Sequence, residues 1–148
     1  MDVEFQSATA NDKAYFWSLY VKAMRPYIDK IWGWDTTWQE QDFEKRWLDS
    51  TNLIIHTEGR PAGFIQTQDH IEFTYVIMFI LDTTFRNKGL GASALKLLSE
   101  KSVTKPIQLR VFKINRSAFN FYINHGFEVL DLEESFYVLQ KKVTSWTT

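Results

Sequence analysis

The sequence predicts a mixed α/β (α+β) domain, one central and mostly antiparallel sheet of about seven strands flanked by about four helices. Three observations carry that expectation. Short β-prone runs recur along the chain, and one of them, Val76 to Leu81, is apolar on both faces, as a central buried strand must be. Other segments space their apolar residues at helical intervals. The resulting order, β-α-α-β-β-β-α-β-α-β-β, inserts helices into a mainly antiparallel set of strands.

Val3 to Thr9 alternates and reads as the first strand. Thr9 or Asn11 then caps a helix whose positions Ala14, Trp17, Val21 and Met24 recur at helical spacing, and Pro26 ends it. The aromatic-rich stretch Tyr27 to Trp38 has no clear period. A second helix runs from Trp38 to Leu48, capped by Thr36 or Thr37, with Phe43 and Trp47 on one face. Asn52 to Gln68 outlines a hairpin, since two β-prone runs flank Glu58-Gly59-Arg60-Pro61. His70 to Leu81 is the longest strand candidate.

After Asp82 to Gly91 a helix continues to about Lys101 on a stripe of Leu90, Ala94, Leu97 and Leu98. Pro106 introduces the strand Ile107 to Phe112. Arg116 to Gly126 reads as a short helix with Ala118, Phe121 and Tyr122 facing inward and Gly126 as its stop. Two final strands, Phe127 to Leu132 and Ser135 to Lys142, are separated by Glu133-Glu134. With no repeat, low-complexity tract or linker, residues 1–148 read as one domain.

That length suffices to bury a proper core. A net charge of −1, with cations scattered among acids, argues against a nucleic-acid partner. The absence of cysteine excludes disulfides, thiolate metal sites and a cysteine nucleophile together. His56 and His125 are isolated positions without metal-ligand spacing, so no metal is expected. The opening residues carry acids where a secretory leader needs cations, and no apolar run approaches bilayer length. A soluble, cytoplasmic protein with no membrane contact is the expectation.

Phe85-Arg86-Asn87-Lys88-Gly89-Leu90-Gly91 joins a buried strand to a helix with more backbone freedom and positive charge than a connection needs. A helix N-terminus leaves its first N–H groups unpaired and carries partial positive charge, so it can bind phosphate where glycine lets the backbone approach. Taken alone, the pattern fits a glycine-containing loop with solvated cations equally well. It lacks the Gly-Lys-Ser/Thr ending of a Walker loop and does not open the chain as a dinucleotide fingerprint does. About two dozen residues later come Asn115, Ala118, Phe121-Tyr122 and Gly126-Phe127.

Arg86-x-x-Gly89-x-Gly91 and this second segment together resemble the two signature segments of the GCN5-related N-acetyltransferase (GNAT) superfamily. That family's acyl-CoA loop reads Arg/Gln-x-x-Gly-x-Gly/Ala, and its following segment carries Asn, Ala, Tyr and Gly-Phe in this order. The order of elements matches along essentially the whole chain. Met24 to Asp35 further resembles a group of small bacterial members of unassigned acceptor.

The resemblance implies the GNAT fold, acetyl-CoA as co-substrate, and an acetyl group passed directly to a primary amine in a ternary complex. It implies that backbone N–H groups from Asn87 to Ala92, in a loop shared with Arg86, Lys88, Gly89, Leu90 and Gly91, reach the pyrophosphate of coenzyme A. Phe79 and Leu81 would pair with the pantetheine arm through their main chain, with an N–H near Phe79 stabilising the oxyanion. Asn115 would hydrogen-bond the cofactor, or else cap its helix. Tyr122 would protonate the departing thiolate, or else be a core tyrosine at helical spacing.

Where many members carry a strand Glu, this chain has Tyr75. Glu72, three residues earlier and roughly 10 Å along an extended strand, is the nearest acid; it is either a base acting through water or a solvated charge. His70 and Asp35 are further candidates, and some relatives use ordered water. For the acceptor, the segment between the first two helices places Trp32, Trp34 and Trp38 around Gly33, with Asp35 beside them. With Tyr75 these would face the substrate, rings holding an apolar group or a cationic amine; the alternative is a hydrophobic latch between helices and sheet.

Two function classes stay open, an N-acetyltransferase and a non-catalytic acyl-CoA-binding regulatory module that lost its base. A nucleotide-phosphate hydrolase is disfavoured by the missing Walker lysine and acid pair. The expected partners are acyl-CoA and an amine acceptor, and a homodimer is admitted as an assembly.

Overall fold

The computed structural model describes residues 2–85 and 88–143. Within them the chain forms β1 (Glu4–Ser7), α1 (Lys13–Ile31), α2 (Thr36–Asp49), β2 (Thr51–Thr57), β3 (Arg60–Asp69), β4 (Thr74–Leu81), α3 (Leu90–Lys101), β5 (Ile107–Phe112), α4 (Arg116–Asn124), β6 (Glu128–Leu132) and β7 (Phe136–Lys141). This is the order expected from the sequence. The seven strands make one sheet in the order β1-β2-β3-β4-β5-β7-β6, antiparallel everywhere except between β4 and β5.

Helices cover both faces. On one, Phe16, Leu19 and Tyr20 of α1 and Phe43 of α2 pack on Ile54, Phe64 and Ile80. On the other, Leu90, Ala94, Leu95 and Leu98 of α3 pack on Ile55, Ile65, Val76, Leu109 and Leu139, with Phe121 and Tyr122 of α4 beside them. The two-sided apolarity of β4 follows, because Met78 and Ile80 serve the first cluster while Val76, Phe79 and Leu81 serve the second. The turn Glu58-Gly59 has positive φ at both residues, +53° and +73°, the geometry of a tight two-residue hairpin.

Several sequence expectations need correction. Pro26 does not end α1, which continues to Ile31 and stops at Gly33 (φ +83°). Proline removes one helical hydrogen bond, but here Pro26 and Lys22, whose carbonyl loses that bond, both lie on the solvent side. Beyond Pro26 the helix is held by buried Ile28 and by Tyr27 stacked on Phe112, ring centroids 5.9 Å apart.

The cap of α2 is Asp35, whose carboxylate accepts from the Trp38 N–H at 3.1 Å, so the helix starts at Thr36. Of the two caps offered before α1, Thr9 is the one used: it caps the 3₁₀ turn Ala10–Asp12 that leads into Lys13, its N–H donating to the Asp12 carboxylate at 2.8 Å. β3 is longer than β4, since His70 to Phe73 forms a bend closed by His70 N–H donating to Phe73 carbonyl, 2.9 Å. On α3 the buried stripe is Leu90, Ala94, Leu95 and Leu98, so Leu95 takes the place expected for Leu97, which is half-buried.

Candidate active site

β4 and β5 pair at three positions, Thr74 with Ile107, Tyr75 with Gln108 and Val76 with Leu109. Past Val76 each follows its other neighbour: β4 stays on β3 to Leu81, and β5 stays on β7 to Phe112. The register shift that leaves Ile77 without a partner on β3 is a bulge, which bends the strand where the two part. The sheet therefore splits at its centre, leaving one edge of β4 without a strand partner among the described residues. Around the split lies a cavity of about 1070 Å³ lined by Tyr75 to Leu81 and by Leu109 to Phe112.

On the α3 side its wall includes Gly89, Gly91 and Ala92. Gly89 has φ +77° and precedes the helix; Ser93 N–H is the first to bond back, to Gly89 carbonyl at 3.2 Å. Among the described residues the N–H groups of Leu90, Gly91 and Ala92 have no helical acceptor. A Cβ at Gly91 would stand 3.3 Å from Phe121 and 3.4 Å from Leu81, so glycine lets α3 sit close against β4 and α4. Lys88 is exposed beside them; Arg86 and Asn87 lie outside the described residues.

From α4 come Asn115 and Tyr122, both on the cavity wall. Asn115 caps that helix, its side-chain oxygen accepting from Ala118 N–H at 3.1 Å. Tyr122 is wedged edge-on against Phe121 and Phe127, both centroids at 5.3 Å. Burial pushes its pKa well above the ordinary tyrosine value, so the phenol keeps its proton. Phe79 and Leu81 also line the cavity.

The far end is built by α1, α2 and the open face of β5 and β7. Trp32 is 60 % exposed and meets Phe112 and Phe136 at 5.9 and 6.0 Å. Asp35 and Trp38 join it on the wall. Tyr75 accepts from Arg110 at 3.0 Å, and Arg110 grips Glu133 with two bonds of 2.7 and 2.9 Å. These bonds hold Arg110 charged and Glu133 below its usual carboxylate pKa.

Three sequence candidates lie elsewhere. Glu72 is exposed in the β3–β4 bend and is not on the cavity wall. Trp34 packs between Trp17 and Tyr20, at 6.2 and 6.0 Å, and its ring N–H donates to Thr36 at 3.0 Å; it too is off the wall. His70 stacks on Phe73 at 4.7 Å, away from the cavity.

Sequence reasoning missed Tyr20, Gln39, Asp42, Arg46 and Arg110, all lining the cavity. For α2 the signal was present: Gln39, Phe43 and Arg46 fall at steps of four and three, so the stripe that buries Phe43 carries the two polar residues inward. Among the described residues, no group of three or more His, Cys, Asp or Glu could hold a metal ion, and no helix is long and apolar enough to cross a membrane.

The family model of the acetyltransferase (GNAT) family matches residues 9–127. The fold is similar to the PaiA N-acetyltransferase of Thermoplasma acidophilum, solved with coenzyme A: TM-score 0.72, 19 % identity, 96 % of this chain and 99 % of that one. It is similar to a GNAT-family acetyltransferase of Elizabethkingia anophelis solved with acetyl-CoA: TM-score 0.70, 14 % identity, covering 95 % and 98 %. The ribosomal-protein-S18-alanine N-acetyltransferase of Escherichia coli gives TM-score 0.70 at 16 % identity, covering 99 % and 97 %. No curated protein matches the sequence.

Proposed function

Because the chain belongs to the acetyltransferase (GNAT) family, we propose that it transfers the acetyl group of acetyl-CoA to a primary amine by direct attack in a ternary complex. One observation carries this reading: the split between β4 and β5 opens beside an unpaired helix start on one side and a proton-holding Tyr122 on the other. The fit to coenzyme A rests on that geometry. The free edge of β4 offers main-chain groups at Phe79 and Leu81 to an extended amide chain, as a missing strand would use them. The N–H groups of Leu90, Gly91 and Ala92, with Lys88 nearby, suit a diphosphate.

Acetyl-CoA supplies a thioester whose carbon–sulfur bond breaks as the amine's bond to the acetyl carbon forms. The chain's own residues do the rest. An N–H near Phe79 stabilises the negative charge that builds on the acetyl oxygen. Tyr122 gives its proton to the departing sulfur. Asn115 uses its side-chain N–H₂, left free by the cap it makes through oxygen, to hold the donor. The amine enters from the α1–α2 end, between Trp32, Trp38, Asp35 and Tyr75. Glu72 reaches the cavity only through solvent, so water carries the ammonium proton out.

A second reading, acyl-CoA binding without turnover, draws on the same absence of a β4 carboxylate from the wall. Both are separated by incubating the protein with acetyl-CoA and a panel of small-molecule, peptide and protein amines, reading free thiol. Amine-dependent release supports transfer; binding of acetyl-CoA with no release from any amine supports the second reading.

A further inference from the structure

Among the described residues two arginines line the cavity, and they differ in one respect. Arg110 has a partner on each of its three nitrogens, Glu133 on two and the Tyr75 hydroxyl on the third. Arg46 does not. Its Nε donates to Asp42 Oδ2 at 3.1 Å, and its guanidinium lies 4.6 Å over the ring of Tyr20. Nη1 and Nη2 are buried and have no hydrogen-bond partner among the described residues. The Tyr20 hydroxyl donates to Gln39 at 2.7 Å, and the charge of Arg46 and its approach to the hydroxyl oxygen oppose the upward effect of burial on the Tyr20 pKa, although neither Nη reaches hydrogen-bond geometry with that oxygen. The Arg46 side chain is 14 % exposed, and an orphaned charged donor at that depth is costly.

We propose that Arg46 is the acceptor's recognition residue, its two terminal nitrogens taking a carboxylate of the amine substrate. The inference rests on the acetyltransferase reading above. Asp42 holds Nε and so leaves the Nη1–Nη2 fork, whose parallel N–H pairs match the two oxygens of a carboxylate. Arg46 carries a single positive charge and shares it with Asp42 through Nε, so a monoanion suits the site better than a doubly charged phosphate. Both nitrogens are closed to water in this conformation, so docking includes a small rotation of the side chain. The substrate class is an amine with a carboxylate at its far end, as in an amino acid or short peptide.

The test compares amines carrying a free carboxylate with the same amines as carboxamides, in wild type, Arg46→Gln and Arg46→Lys. Wild type is expected to favour the carboxylates in kcat/KM by about 10 to 100-fold, a contrast expected of a charge-assisted pair. The ratio should fall near one in Arg46→Gln and recover in part in Arg46→Lys, which keeps charge but loses the fork. A coenzyme A melting shift in each variant reports an intact donor half. Equal ratios in wild type and Arg46→Gln, or a wild-type preference for carboxamides, overturn the proposal. Calorimetry with N-acetyl amino acids and their amides, on protein loaded with coenzyme A, needs no turnover. Binding lost both on amidation and in Arg46→Gln supports the site even if no amine is acetylated, an outcome that overturns the acetyltransferase reading alone; binding indifferent to Arg46 overturns the site.

Discussion

The role proposed for Tyr122 rests on its position more than on its identity. Six tyrosines are spread through the chain, and this one is pressed between Phe121 and Phe127 at the wall of the split. Burial raises its pKa, so the phenol is the species present throughout the neutral range and well into alkali. The sign matters: with the folded value above the unfolded value of about 10, the neutral form's contribution to stability is complete below that pH and is lost only as pH climbs past it. Tyr122→Phe should lower kcat by about 10² to 10⁴, the range for a general acid, at every pH from 7 to 9, while the acetyl-CoA KM stays within about twofold. Unchanged turnover would make Tyr122 a packing residue. Asn115 and Asp35 show how one side chain holds two positions in the argument, each capping a helix while facing the cavity.

At the scale of elements, α3 does two jobs with two glycines. Gly89 takes φ +77° with nothing within 4 Å of an added Cβ, whereas Gly91 has Phe121 and Leu81 at its back. Gly89→Ala should therefore cost about 1–2 kcal/mol of stability from backbone strain alone. Gly91→Val should also weaken coenzyme A binding, because the added methyl groups push the helix start off β4. Melting curves with and without coenzyme A separate the two; a full ligand shift in Gly91→Val would remove this junction from the donor site. Both glycines were legible in the sequence, since spacing after an apolar strand marks them. The run of α1 through Pro26 was not, because proline's penalty is weighed against Tyr27 and Ile28 contacts that only the folded sheet supplies. Arg46 and Gln39 went unread although Phe43, placed on the inner face of α2 by its spacing, fixes the phase that turns them inward.

The whole molecule is a sheet in two halves, β1 to β4 and β5 to β6, joined by three residue pairs and bridged by helices. The order of elements could be read from periodicity, but the place where β4 leaves β5 could not, because register belongs to pairs of strands and not to either alone. A molecule that enters the split touches both halves, so binding should tie them together and raise stability. At one hundred times its dissociation constant a ligand adds about 2.7 kcal/mol, which for a domain of this size corresponds to roughly 5–10 °C in Tm. The measurement that bears most directly on the account is thermal melting of the wild-type protein across an acetyl-CoA titration. A saturable rise of that size, following a single-site binding curve, is expected. A Tm that does not move up to millimolar acetyl-CoA would contradict it.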